Sequence, residues 1–378
     1  MVGPLRHADV DGDYLTLAAD ALVAAARDAG LPRETIDGLV INSGGEAGPD
    51  YDQLATYLGL QPRTCLQSWA HGRFSASVVQ QAALLVDNQH ADVVACIYAR
   101  RLGTDTVGGP AWKGWSEELR KGGGPHGENP RIGLTAPLGT AALAARLYAN
   151  RYRTDLAELF HVVADARLNA AAYPGALRPQ PIDRDAYLDN PYIVEPLRRW
   201  DCTPRTEGAV CILVARAERA ATASRTVEIA GFDGIPAGSG EFIWSRPGLG
   251  VADQSMLEDV PPDRTVFERS GIEPADVDVF FTYDAFSPLV WFALERYGYC
   301  PAGAAPGFVQ ERGLTYHGGF PTNPHGGSLA TGQLAGWLHL VEAVVQLRHE
   351  AGARQVPDAR LAHYGSCYGD SMIFRRSG

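Results

Sequence analysis

Two layered α/β halves are what this chain predicts, on three observations. Stretches with helical periodicity alternate with short runs of β-branched and apolar residues, the pattern of helices packed on sheets. The 378 residues, 46% hydrophobic and 20% charged, supply ample apolar surface for a large core. Strand and helix signals recur on both sides of a linker-like segment at 220–225, dividing the chain into residues 1–219 and 226–378.

The first half enters at Val2-Gly3-Pro4, so its first strand is short or missing. Residues 14–29 read as a helix stopped by Gly30, since glycine accepts the left-handed backbone that ends helices. Residues 39–42 and 93–98 read as buried strands, with a helix over 75–85 between them. Residues 101–135 differ in kind: Thr104, a Gly-Gly-Pro at 108–110, Trp112, Trp115 and Lys121-Gly122-Gly123-Gly124-Pro125 mix turn formers with aromatics. Such a loop suits a lid over a site, a subunit contact or a mobile surface, and it lacks the Lys-Ser/Thr ending of a phosphate loop. Helices are expected over 141–151, 155–172 and 184–188, with Tyr173-Pro174 ending the second, and a strand over 209–214. The second half reads as strands at 227–231, 277–282, 360–363 and 372–374, with a helix over 332–348.

A net charge of −11 without any basic tract argues against nucleic-acid binding, which needs clustered Lys and Arg to neutralise phosphates. No uncharged apolar stretch is long enough to span a bilayer, and Met1-Val2-Gly3-Pro4-Leu5-Arg6-His7 has no signal core, so a cytoplasmic protein is expected. Cys65, Cys96, Cys202, Cys211, Cys300 and Cys367 are scattered with no Cys-x-x-Cys pair, which predicts no metal site and reduced thiols. Cys96 and Cys211 fall within predicted strands and read as core.

The stretch Asn323-Pro324-His325-Gly326-Gly327-Ser328-Leu329-Ala330-Thr331-Gly332-Gln333-Leu334-Ala335-Gly336 resembles the active-site loop of thiolases, where a Gly-Gly and a small-residue run lead to Gly-His-Pro. Here the histidine is Gln333. Other segments agree: Tyr283-Asp284-Ala285-Phe286 after an apolar run, Asp201-Cys202-Thr203-Pro204-Arg205-Thr206-Glu207-Gly208-Ala209, Asp28-Ala29-Gly30-Leu31, and Gly72-Arg73-Phe74-Ser75-Ala76-Ser77 before Ala91-Asp92-Val93-Val94. Arg167-Leu168-Asn169-Ala170 is similar to an Arg-x-His-Ala stretch of the sterol-carrier-type thiolases, with Asn169 in place of the histidine. The resemblance implies a duplicated thiolase fold of five layers, αβαβα.

It also implies what chemistry is missing. Gly72 stands where thiolases carry their nucleophilic cysteine, and glycine cannot hold an acyl group. Ser75 is an alternative nucleophile or a first-turn cap. An amide at Gln333 hydrogen-bonds but cannot shuttle protons as a histidine does near neutral pH. Loss of the cysteine and the tyrosine before Asp-x-Phe are similar to the thiolase-like steroid side-chain aldolases, although Gln333 stands where their second catalytic tyrosine lies. That branch implies retro-aldol cleavage of a β-hydroxyacyl-CoA: Tyr283, if acidified, takes the hydroxyl proton, while Gln333 and loop amides hold the enolate. Asp284, Tyr364 and His325 are further candidates for catalysis, and Gly72, Ser75, Gly326, Gly327 and Cys367 for contacting substrate. Tyr364 and Cys367 belong to an expected turn over 363–369. The resemblance implies a CoA thioester as substrate with no bound cofactor, a homodimer pairing first-half edge strands around 93–98, and an OB-fold, zinc-ribbon partner. Non-covalent acyl transfer and a catalytically silent scaffold remain alternatives.

Overall fold

Strand alternation sorts the buried side chains of this protein into layers. The structure is a computed structural model describing residues 1–5, 12–43, 51–69, 75–101, 137–220, 226–236 and 261–377. The expected lid at 101–135, the linker at 220–225 and Gly72 lie wholly or almost wholly outside the described residues. Strands β1 (Val2–Leu5), β2 (Gly38–Ser43), β3 (Thr64–Trp69), β4 (Val93–Arg100) and β7 (Glu207–Ala215) form one sheet in the order β1-β7-β4-β2-β3. β5 (Tyr192–Val194) and β6 (Leu197–Arg198) make a separate hairpin. Strands β8 (Val227–Asp233), β9 (Val279–Phe281), β10 (Leu361–Gly365) and β11 (Ser371–Arg376) form the second sheet, ordered β8-β11-β10-β9. Within it β9 and β10 run parallel, and β11 is antiparallel to both of its neighbours.

Five layers follow from which face each residue takes. Leu39, Ile41, Val93, Ala95 and Ile97 pack with Leu17, Leu22, Leu54 and Leu58 of the outer helices α1 (Tyr14–Ala29) and α2 (Tyr51–Leu58). Their neighbours Val40, Val94, Cys96 and Tyr98 turn the other way, onto α3 (Ser75–Asp87) and the helix Trp337–Leu347. Val279, Phe281, Ala362 and Tyr364 close the same middle layer from the second sheet. Phe280 and Ile373 face outward, onto Leu289, Trp291 and Phe292 of the helix Pro288–Arg296 and onto Phe267. The fold is the five-layered αβαβα thiolase architecture.

Most elements lie where the sequence puts them. α1 spans the predicted 14–29 because Asp13 caps its start, accepting from the Thr16 N–H at 2.9 Å, and Gly30 at φ 65° ends it. The first strand is present but only four residues long, pairing antiparallel with β7. Other expectations need correction. The strand over 93–98 is central, flanked by β7 and β2, so it offers no free edge; β3, which sequence reading did not identify, is an edge. The helix expected over 332–348 begins only at Trp337, because Gly332, Ala335 and Gly336 have φ of 138°, 49° and 84°, outside the right-handed helix. A π-helical turn, Gly327–Thr331, precedes it. β10 runs to Gly365, so Tyr364 is a strand residue and the turn begins after it.

Candidate active site

Side chains at or just past the ends of β4, β9 and β10, Arg100, Tyr283 and Tyr364, come to one place between the two sheets. β9 ends at Phe281, and Thr282 continues it by pairing with a side chain: Asn323 Oδ1 accepts the Thr282 N–H at 3.0 Å while its Nδ2 donates to the Thr282 carbonyl at 2.9 Å. Asn323 takes φ 45°, a left-handed conformation that asparagine tolerates better than most residues. This clamp fixes Tyr283 and Asp284 beside the glycine-rich loop.

Asp284 is spent on that loop. Its carboxylate accepts the backbone N–H groups of Ser328 at 2.6 Å and Leu329 at 3.3 Å, and meets His339 Nε2 at 2.9 Å. A β-carbon on Gly327, at φ 62°, would sit 1.9 Å from Asp284 Oδ2, and one on Gly326 would sit 2.5 Å from the Ala170 methyl. Both glycines are therefore needed for the loop to close on its supports. Asn169 completes them, donating to the carbonyls of Leu314, Thr322 and Asn323 and accepting the Tyr316 N–H. At the position of a family histidine it is a buried stitch.

Held in this way, the loop carries Gln333 to Tyr283. Gln333 Nε2 donates to the Tyr283 hydroxyl at 2.9 Å, and Arg100 Nη1 donates to Gln333 Oε1 at 3.1 Å. Thr206 donates to the Gln333 carbonyl and anchors its backbone. Burial pushes the Tyr283 hydroxyl well above the ordinary phenol range, with the Gln333 hydrogen bond and the Arg100 cation working against that rise. The condition under which Tyr283 would act as a base, an acidified phenol, is thus not met in this pocket. Tyr283 is a neutral donor at neutral pH.

Tyr364 and Ser75 meet next to it, their oxygens 3.3 Å apart, and both are fully buried. Tyr283 and Tyr364 lie within electrostatic reach, and burial pushes the Tyr364 hydroxyl far up as well. His325 is buried completely, not exposed on its loop. Its ring packs edge-on against His339 with centroids 4.9 Å apart, and among the described residues neither ring nitrogen has a hydrogen-bond partner. Burial holds it well below the usual imidazole range, with the neighbouring His339 and Arg354 adding to that effect. Cys367 is buried with its thiol pushed far up, and Cys65 packs on the outer-helix side of the first sheet, so neither is a ready thiolate. Cys96 and Cys211 are core residues, as their strands predict.

Two residues of this constellation escaped sequence reading. Arg100 shares the inward face of β4 with Cys96 and Tyr98 by strand alternation, and a cation ending a buried strand is the signal that could have found it. His339 follows Gly336 within an apolar helix and gives no signal of its own. A depression of about 590 Å³ lined by Ile272, Arg360, Leu361, Arg375, Arg376 and Ser377 lies at the start of β10, the end of the sheet opposite Tyr283, and plays no part here. Among the described residues no cluster of His, Cys, Asp and Glu could hold a metal ion, and no helix is long and apolar enough to cross a membrane.

Comparison with known proteins agrees with this fold. The profile of the thiolase C-terminal domain-like family matches residues 263–371. A 17-hydroxy-3-oxo-4-pregnene-20-carboxyl-CoA lyase of Mycobacterium tuberculosis (strain ATCC 25618 / H37Rv) is 29% identical over 358 residues, 92% of this chain and 89% of that protein. A steroid side-chain-cleaving aldolase of Thermomonospora curvata is 28% identical over 346 residues, 88% of this chain and 85% of that protein. Among solved structures, the Ltp2-ChsH2(DUF35) aldolase superposes with a TM-score of 0.83 at 25% identity, covering 99% of this chain and 96% of that one.

Proposed function

Because this chain is a thiolase-superfamily protein whose site turn carries Gln333 instead of an imidazole, we propose that it is an aldolase-type lyase cleaving a β-hydroxyacyl-CoA thioester. The observation that carries the reading is the Gln333–Tyr283 hydrogen bond at 2.9 Å, which leaves the tyrosine proton free to face a substrate. Similarity to a CoA-ester lyase and a side-chain-cleaving aldolase along most of the chain supports it.

Retro-aldol cleavage needs no net proton from the protein. The β-hydroxyl loses its proton, the Cα–Cβ bond breaks, the β-carbon becomes a carbonyl, and the electron pair passes to the thioester as an enolate that takes a proton at Cα. One neutral hydroxyl can run this cycle by receiving the substrate's proton as it passes its own on. Tyr283 is placed for that role. The Gln333 amide and backbone N–H groups of the loop are the donors available to the enolate oxygen, acting in a buried setting where hydrogen bonds are strengthened.

The reading extends to a partner. One solved structure that this chain resembles is the Ltp2-ChsH2(DUF35) aldolase, and we propose an OB-fold, zinc-ribbon partner for this chain as well. The experiment is direct: purified protein is mixed with a β-hydroxyacyl-CoA, with and without such a partner, and release of ketone or aldehyde is followed together with the shortened acyl-CoA. Acyl transfer to a second thiol without carbonyl release would instead identify a transferase. Intact-mass spectra should show no acyl-enzyme, since the position of the family nucleophile is Gly72.

A further inference from the structure

The Arg100 guanidinium is the one described cation that hydrogen-bonds directly to the Tyr283–Gln333 pair, and nothing in the proton cycle above uses it. A primary amide presents an acceptor at one end and two donors at the other, and the ends are nearly the same shape. Left alone, Gln333 could turn its oxygen toward Tyr283 and capture the very proton that the reaction needs. Arginine removes that freedom because it has five donors and no acceptor. Whichever group approaches it must bring an oxygen, so Gln333 Oε1 faces Arg100 at 3.1 Å and Nε2 is left for Tyr283 at 2.9 Å. The Tyr283 oxygen then accepts, and its hydrogen points elsewhere.

Arg100 is itself held. Its backbone is paired with Gly208 at the end of the β4–β7 ladder, and its side chain lies within electrostatic reach of the Tyr98 hydroxyl, two residues back on the same strand face. Gln333 is gripped from behind by Thr206. The chain Arg100 to Gln333 to Tyr283 therefore runs from one sheet to the other with a fixed direction at each link.

We propose that Arg100 is a positioning residue: it locks the Gln333 amide so that the nitrogen faces Tyr283, which aims the tyrosine proton at the substrate and favours charge build-up on its oxygen. This rests on the reading that Tyr283 is the proton-transfer group. The positive charge of Arg100 also works against the burial that raises Tyr283, so its removal should make the tyrosine still harder to ionise.

The test uses Arg100→Met, which keeps the length and loses every donor, and Arg100→Lys, which keeps the cation. Arg100→Met should lower kcat about tenfold to a hundredfold with KM within about threefold, and Arg100→Lys should recover most of that loss. In parallel, a fluorinated tyrosine is installed at position 283 and its ionisation followed by fluorine NMR. Its titration should move to higher pH in Arg100→Met and return toward the parent value in Arg100→Lys. An unmoved titration, or an unchanged kcat in Arg100→Met, overturns the proposal. The NMR arm needs no turnover: if the parent protein cleaves no β-hydroxyacyl-CoA, the aldolase reading fails, while the titration still decides whether Arg100 controls Tyr283.

Discussion

One oxygen atom separates a catalytic tyrosine from a packing tyrosine at position 283. Tyr283→Phe keeps the ring, which is 4% exposed, and removes only the hydroxyl that Gln333 contacts. Turnover should fall on the order of a hundredfold or more while the melting temperature barely moves. Wild-type turnover in that variant would end the assignment. Gln333→Ala should reduce kcat by a similar order by deleting an enolate donor. Tyr283 and Gln333 were legible because each stands in a motif whose frame survives while its chemistry changes. Arg100 was not, since its role depends on a pairing between residues 233 positions apart that no local pattern encodes. Whether the Tyr283 phenol is acidified was illegible for a related reason: sequence shows that a phenol is present, and only the fold shows how completely it is buried.

At the scale of elements, the glycine-rich turn is held by Asp284 more than by its own conformational preferences. Removing that carboxylate with Asp284→Ala leaves the buried N–H groups of Ser328 and Leu329 and the ring of His339 without their acceptor, and should cost roughly 3 kcal/mol in urea unfolding. Gly327→Ala should be worse, because the added carbon collides with the same carboxylate at an unfavourable φ. Burial of histidines writes a second signature into these elements. His363 accepts or donates to Tyr299 and Ser371 while burial pushes it down to about 3 from an ordinary 6.5. The unfolded chain takes up a proton near 6.5 and the folded one only near 3, so the stability this histidine contributes is complete above the higher value and drains away as pH falls toward the lower. His325 acts in the same sense. Urea midpoints should decline steadily from neutral pH to about pH 4.5. A flat midpoint would mean that these rings titrate as free imidazoles do. Sequence located α1 and the buried strands by periodicity and caps, but it carried the helix at 337 back to Gly332, because apolar spacing continues through backbone that positive φ values forbid to a helix.

At the scale of the whole molecule, one unfinished surface is the β3 edge of the first sheet. Among the described residues, strand Thr64–Trp69 pairs with β2 on one side only, and its polar Thr64, Gln67 and Ser68 break the apolar run by which a buried strand is read. Leu66 on this strand is 39% exposed, and Tyr57 and Tyr51 of the neighbouring α2 are 50% and 48% exposed. The dimer expected from the resemblance cannot use the central strand Val93–Arg100, but β3 meets the requirement: two copies related by a two-fold axis would join their sheets edge to edge, each satisfying the other's backbone groups. Sedimentation at micromolar concentration should therefore find a homodimer, in the presence or absence of a partner protein. Leu66→Arg places a charge on that edge without touching the site, so it should shift the protein toward monomer while circular dichroism stays that of the folded chain. A parent protein that sediments as a monomer, or a Leu66→Arg variant that remains fully dimeric, would show that β3 is not the joining edge, and that its exposed apolar residues answer to something else.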